Sequence, residues 1–287
     1  PFSSHLVARK IAKNQGIKWV AFYIDPFYNN KQYKVKQLRP LLKCFERKTL
    51  LATDRIVMID FMKVDYTGRY WRSISNRIVF TKFTFSLREN SQDAPREVKD
   101  YKSGNMSENA VSCCYAGTLY QDIRSPEFLF QVFNGLKNQN ISLDIVGPMK
   151  GFCQEYLENW EDKLQDVVRF MGNKLVAEAE RIAKTADVLV NVGNLFPNQL
   201  PSKIFDYVRL GKPIINFYKT SLCPSLEVLE NYPYCLNIME DFSDIPSVCK
   251  QVIEFCKENC NNKVAEDEVA ALYYQHHPSS VIKSFDI

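Results

Sequence analysis

Between residues 111 and 218 the chain alternates short, almost uninterrupted apolar runs with longer amphipathic stretches. No other feature restricts the fold as much. The runs are VSCCYAG (111–117), ISLDIVG (141–147), VVRFMG (167–172), VLVNVG (188–193) and PIINFY (213–218). A strand that is apolar at nearly every position is buried on both faces, which requires a parallel sheet covered by helices. The intervening segments supply them. Phe128, Leu129, Val132, Phe133 and Leu136 make one apolar stripe, and Leu175, Ala179, Ile182, Ala183 and Ala186 another. Further helices fit 153–165 and 201–210. The class is α/β with a doubly wound parallel sheet, whose ligands bind beyond the carboxyl ends of the strands.

The first 85 residues repeat this alternation more sparsely. Leu6, Val7, Ile11 and Ala12 recur at helical spacing and Gly16 ends that helix; KWVAFYID (18–25) is a strand closed by Asp25-Pro26. Val35, Leu38, Leu42 and Phe45 share a helical face that is expected to point inward, with Pro40 splitting or starting the helix. RIVMID (55–60) and RIVFTKF (77–83) are strands around a short helix near 68–75. The stretch SLRENSQDAPREVKDYKSGNMSENA (86–110) has almost nothing to pack and marks a linker. The expected division is therefore residues 1–88, a linker at 89–109, a second domain at 110–265, and a closing helix at 266–287 that returns to the first domain.

Charge separates the two parts. Residues 1–100 carry 20 Lys and Arg against 9 Asp and Glu, residues 101–287 carry 17 against 24, and the net charge is +4. The basic part suits an anionic surface: phospholipid, a phosphorylated acceptor or nucleic acid. With 46% hydrophobic residues the chain is not a disordered one. No apolar run reaches the roughly 18 residues that a membrane-spanning helix needs. Nine cysteines at irregular spacing, without a CxxC pair, and only three histidines argue for a reducing cytoplasm and against a structural metal.

Four strands end in glycine, at Gly117, Gly147, Gly172 and Gly193, where backbone can approach a ligand without a Cβ in the way. The densest segment is NVGNLFPNQLPSKIFDYVRLGKPIINF (191–217). Pro201 suits the first turn of a helix, whose free N–H groups from Ser202 and Lys203 onward make an anion site, with the Lys203 ammonium adding charge. One turn on, Asp206 is placed to reach a polyol such as a ribose.

PSKIFDYVRLGKPII resembles the donor-binding helix of retaining GT-B glycosyltransferases of the family 4, or group 1, type, which includes sucrose synthases and bacterial mannosyltransferases. FMGNKLVAEAERIAKTADVLVNV (170–192) and YAGTLYQDIRSPEFLFQVF (115–133) are similar to the same family's preceding segment and its phosphate loop. The likeness covers about residues 110–265, and SSHLVARKIAKNQGIKWVAFYIDPF extends it more weakly into the first domain. It implies a GT-B fold of two Rossmann-like domains, the N-terminal one incomplete. It also implies a metal-independent, retaining transfer of a hexosyl unit from a nucleotide-diphosphate sugar to a glycan or lipid-linked acceptor, with no cofactor beyond that co-substrate.

Carried over by position, Asp206 takes the second of two acidic sites eight apart and binds the ribose hydroxyls; the first is Asn198 here. Leu200, Pro201 and Ser202 line the diphosphate. Gly117 and Thr118 open the phosphate loop, where the family usually carries Arg at the second position. Arg124 takes the part of the phosphate clamp beside Lys203. Gly172, Asn173 and Lys174 frame the nucleobase. His5, just ahead of a helix, is a candidate acceptor-side or catalytic residue, whereas His276 and His277 are expected at the surface. The implied setting is the cytoplasm, with peripheral contact of the basic half at the inner face of the membrane and no nucleic acid as partner.

Other classes stay open. A nucleotide-sugar epimerase shares the architecture but needs additional carboxylates and histidines. A nicotinamide-dependent oxidoreductase would need a GxGxxG after a strand, which is absent from the sequence. A non-catalytic nucleotide- or sugar-binding module is favoured by Asn198. The first domain offers about three strands where the resemblance implies six or seven, and the chain opens on Pro1; the expectation is a fragment lacking roughly 80–120 residues.

Overall fold

All pairings between the named strands are parallel, as the apolar runs require. The computed structural model describes residues 2–30, 36–86, 110–121, 123–151 and 153–285. The expected linker at 89–109 and the inward position of Val35 lie outside the described residues. Two compact units are present: Pro1–Ser86 with Phe196–Gln199 and Tyr273–Ile287, and Leu87–Leu195 with Leu200–Leu272.

The first unit contains α1 (Ser3–Gln15), β1 (Val20–Tyr23), α2 (Arg39–Leu50), β2 (Arg55–Ile59), α3 (Lys63–Tyr66) and β3 (Ile78–Thr81). Its sheet runs β1-β2-β3, with Val20 opposite Arg55 and Ile56 opposite Ile78. The core is largely aromatic, with Trp19, Tyr23, Tyr66 and Trp71 packed among Ile56, Met58 and Met62. Within it lies a carboxyl group. Glu46 is fully buried; the Tyr66 hydroxyl donates to its Oε1 at 2.8 Å and the Tyr28 N–H to its Oε2 at 3.2 Å. Burial pushes this carboxyl up to about 8, against the pull of those hydrogen bonds.

Helix α2 corrects the sequence reading. The face expected inside is largely outside: Leu38 and Phe45 are each 45% exposed and Leu42 is half-buried, while Glu46, Thr49 and Leu50 are buried. Polar atoms are tolerated inward because they are paired, Glu46 as above and Thr49 Oγ1 by donating to the Phe45 carbonyl. Pro40 does sit in the first turn of α2. The helix expected near 68–75 is replaced by α3 and short 3-10 turns at Arg69–Trp71 and Ser75–Arg77.

The second unit follows with β4 (Val111–Ala116), β5 (Leu119–Tyr120), α4 (Glu127–Gly135), β6 (Ile141–Val146), β7 (Met149–Lys150), α5 (Cys153–Leu164) and β8 (Val168–Gly172). It continues with α6 (Val176–Thr185), β9 (Val188–Val192), α7 (Lys203–Leu210) and β10 (Ile214–Tyr218), then α8 (Pro224–Leu229), β11 (Cys235–Met239), α9 (Ile245–Asn259) and α10 (Glu266–Leu272). Six strands form one sheet in the order β11-β10-β9-β4-β6-β8. The alternation thus runs past residue 218, where the sequence reading ended it. Leu175, expected inward, precedes α6 and is 80% exposed, whereas Ile182, Ala183 and Ala186 are buried as expected.

The closing segment is not one helix. After α10 come a 3-10 turn at Tyr274–His276, α11 (Pro278–Val281) and a second turn at Ile282–Phe285. Pro278 disfavours helical backbone at His277, which is extended instead. His276, expected at the surface, is buried; its Nδ1 lies 2.7 Å from the Phe83 carbonyl oxygen and its ring packs on Phe85 and Tyr273.

Candidate anion site at the sheet's switch point

In the six-stranded sheet the chain leaves β4 toward β6 and β8, then returns to the other side of β4 for β9, β10 and β11. The loops after β4 and β9 therefore diverge at neighbouring strand ends, and the crevice between such loops is where open α/β sheets bind ligands. Within the second unit, the described residues of those loops are 117–121, 123, 124, 193–195 and 200–202.

The strand-end glycines continue the ladder along this edge: the Gly117 N–H donates to the Val146 carbonyl (2.8 Å), Gly147 to Gly172 (2.9 Å) and Gly193 to Phe217 (2.8 Å). Gly147 has φ +136°, and a Cβ there would fall 2.1 Å from the Gly117 carbonyl oxygen, so glycine alone fits. The two loops are cross-braced. The Leu195 N–H donates to the Ile123 carbonyl at 3.2 Å, and Arg124 Nε donates to Asn194 Oδ1 at 2.6 Å. Arg124 Nη1 also reaches the Thr118 carbonyl at 3.4 Å, and the guanidinium lies 5.8 Å from the Tyr120 ring centre. Held at Nε and Nη1, the fork has no partner for Nη2 among the described residues, and a guanidinium edge of this kind suits a phosphate oxygen.

Asn194 is itself anchored. It is 4% exposed, and its main-chain amide hydrogen-bonds the Cys223 thiol. Cys223 Sγ lies 3.0 Å from Ser225 Oγ, which donates to Asn216 Oδ1 at 3.0 Å. Asn216 belongs to a ladder across three strands, accepting from Asn191 Nδ2 and donating to Asn237 Oδ1, each at 2.7 Å. This polar file was missed in the sequence, although each of VLVNV, IINFY and CLNIM carries one asparagine in an otherwise apolar strand.

Helix α7 is fixed to the end of β4 by Tyr207. Its buried hydroxyl accepts from the Ala116 N–H at 2.7 Å and donates to the Ala116 carbonyl at 3.3 Å. The helix begins at Lys203, with Ser202 exposed as N-cap and Pro201 buried. The Ile204 and Phe205 N–H groups bond to the Pro201 and Ser202 carbonyls, so the anion-facing donors narrow to the first turn's Ser202 and Lys203. Lys203 Nζ and Asp206 Oδ2 pair at 3.0 Å on the exposed flank of α7, an ion pair that contributes little in water. Arg209 lies near the same carboxylate and pairs with Glu180 at 2.8 Å.

The remaining sequence candidates divide. Leu200 is partly buried just ahead of Pro201. Gly172 ends β8, two strands from β4; Asn173 is exposed, and Lys174 pairs with Glu178 at 3.2 Å. Asn198 and His5 fall in the first unit. Asn198 is 3% exposed; its Nδ2 donates to Asp65 Oδ2 at 2.5 Å and its Oδ1 has no partner among the described residues. Asp65, missed in the sequence, also accepts from Asn29 Nδ2 at 2.6 Å. His5 lies inside α1, not ahead of it, with its ring stacked on Tyr23 at 4.5 Å, and burial lowers its pKa.

No family model matches the chain, and no curated protein matches it in sequence. Solved structures do match. HepE of Anabaena, in complex with UDP and glucose, gives a TM-score of 0.65 at 10% identity over 99% of this chain and 75% of that one. The fold is GT-B. A glycosyltransferase from Rickettsia africae aligns with a TM-score of 0.62 at 11% identity over 99% of this chain and 79% of its own. The lipopolysaccharide outer core galactosyltransferase WaaB aligns at 0.59 and 13% identity over 99% and 72%. At such identities the likeness shows architecture alone, and the chemistry of this GT-B chain has to be argued from its own side chains.

Proposed function

We propose that this GT-B chain is a glycosyltransferase that binds a nucleoside-diphosphate sugar at the switch point of its six-stranded sheet and passes the hexosyl unit to a glycan or lipid-linked acceptor. The observation that carries the reading is Arg124, braced by Asn194 between the loops after β4 and β9, with part of its fork left for an anion. HepE, of like fold, is described with UDP and glucose and with UDP-glucose, and the pneumococcal transferase GtfA with UDP and GlcNAc, which supports uridine diphosphate as the first donor to try.

In the proposed reaction the bond between the anomeric carbon and the β-phosphate oxygen breaks, and its electron pair stays on the diphosphate. Arg124, Lys203 and the N-terminus of α7 stabilise that charge as it develops, a preorganised electrostatic role. With positive charge supplied by side chains and a helix terminus, the proposal is a metal-independent and configuration-retaining transfer with no further cofactor. Asp206 binds the ribose once its pairing with Lys203 opens, and the backbone at Gly172 and Asn173 with Lys174 borders the base.

The test is calorimetric binding of uridine, guanosine and adenosine diphosphates, followed by product analysis with a labelled sugar nucleotide. Arg124→Ala is expected to weaken diphosphate binding by about tenfold or more, the size of a lost charge-assisted hydrogen bond, and to leave the parent nucleoside's binding unchanged. Full donor binding and turnover by that variant would refute the role of Arg124. A second reading, a binding module without transferase activity, draws on Asn198, whose amide is engaged by Asp65 where the resemblance implies a carboxylate. Tight nucleotide binding with neither transfer nor hydrolysis of the labelled donor would favour it.

A further inference from the structure

Glu240 is a buried carboxyl group at the same edge of the six-stranded sheet as the anion site, and the donor-site reading does not use it. It follows β11 directly, where its N–H donates to the Tyr218 carbonyl at 2.8 Å and continues the ladder. Its side chain is 5% exposed, yet its oxygens are poorly matched. Oε1 has no partner among the described residues, and Oε2 lies 3.7 Å from Lys219 Nζ. That separation gives attraction but is too long for a hydrogen bond. A buried carboxyl oxygen left unmatched lowers stability, which points beyond a bracing role.

Groups from three other elements face it. Lys219 follows β10, Cys223 precedes α8, and Glu127 opens α4. Burial pushes the Glu240 carboxyl up to about 7, while Lys219 pulls it down and Glu127 adds a like charge. Burial raises the Cys223 thiol as well, so that group stays neutral through this range. Asp241, next in the chain, is exposed and accepts from the Ser243 N–H and hydroxyl at 2.9 and 2.6 Å. Glu240 thus changes charge near neutral pH.

The strand order decides what that change does. The sheet runs β11-β10-β9-β4, so Lys219 stands between Glu240 and the switch point. Ionised, Glu240 draws the ammonium toward β11 and neutralises it. Protonated, it leaves an uncompensated cation beside the end of β9, which is joined to β10 by the Gly193 N–H and the Phe217 carbonyl. The loop beginning there carries Asn194, the brace of Arg124. Resting on the donor-site reading, we propose that Lys219 is a further cation for the diphosphate and that Glu240 is its positioning residue, withholding it when ionised and releasing it when protonated.

The experiment is calorimetric titration of the full chain with UDP-glucose at about pH 6 and about pH 8, one unit either side of the Glu240 value. The diphosphate of this probe is a diester, with no proton of its own to lose in that range. A phosphate contact worth about tenfold, read at these two points, gives the parent about fivefold tighter binding at the lower pH. Glu240→Gln, isosteric with the protonated acid, is expected to bind at both pH values about as tightly as the parent does at the lower one. Lys219→Met is expected to bind weakly at both, and adding Glu240→Gln to it is expected to change nothing further. A pair that merely braced the fold would move the thermal melts of these variants and leave the affinity profile alone. The same pH profile in parent and Glu240→Gln, or the parent's profile retained by Lys219→Met, would overturn the proposal and leave the donor-site reading in place. No binding of UDP-glucose by the parent at either pH would refute the uridine-nucleotide reading itself and overturn the proposal with it.

Discussion

Glu46 makes the stability of the first unit depend on pH in an unusual direction. Its carboxyl is fully buried and its pKa is raised from 4.5 to about 8, burial being the largest cause. Because the folded pKa lies above the unfolded one, the folded state holds a proton that the unfolded chain has released throughout that interval. Stability from this group is complete below about pH 4.5 and declines by about 1.4 kcal/mol per pH unit until pH 8, for a total of roughly 4–5 kcal/mol. Glu46→Gln removes the titration and keeps the shape. Its oxygen still accepts from the Tyr66 hydroxyl, but its amide nitrogen then meets the Tyr28 N–H, at a cost of about 1 kcal/mol. The variant is therefore expected to match the parent near pH 5 and to exceed its stability by roughly 2 kcal/mol at pH 7. Urea unfolding followed by tryptophan emission is a suitable assay, since Trp19 and Trp71 are both buried in this core. Parallel pH profiles for parent and variant would refute the reasoning, because Glu46 would then carry the same charge folded and unfolded.

Three further outcomes follow from the second unit. Gly147→Ala sets a methyl group 2.1 Å from the Gly117 carbonyl at a backbone angle that favours glycine, and should lower the melting temperature by several degrees and reduce diphosphate affinity, both read in one thermal-shift titration. Tyr207→Phe leaves the buried Ala116 N–H without its acceptor and should cost about 1–3 kcal/mol in urea unfolding; a change below measurement error would mean that water replaces the hydroxyl. Asn194→Ala should weaken uridine diphosphate binding several-fold in the parent and not at all in an Arg124→Ala background, as a double-mutant cycle by calorimetry would record. Additive losses would show that Asn194 does not act through Arg124.

The apolar periodicity carried far in the second unit. Five of the six strands and the helices between them follow from runs such as ISLDIVG and VLVNVG, because a strand buried on both faces has almost no polar position to obscure it. The sixth, β11, is not legible there: CLNIM lies at the sheet edge and only Ile238 in it is buried, so it lacks the two-sided burial that marks the others. Arg124, Lys203 and the glycines were legible as candidates because glycine, cation and helix start occur at strand ends. Their partners were not. Asn194, Tyr207 and the asparagine file look ordinary in one dimension and acquire meaning only when strands from distant segments align.

The amino-acid order by itself determined the fold class, the parallel sheet and the strand-end loops that hold the candidate anion site, since burial on two faces leaves a local signature. It did not determine which side of α2 is inside. A buried carboxyl is acceptable only when specific donors surround it, and Tyr66 and the Tyr28 amide come from segments 20 and 18 residues away. The tertiary structure alone made that decision: with Glu46 drawn inward, Leu38 and Phe45, which periodicity had assigned to the core, face outward.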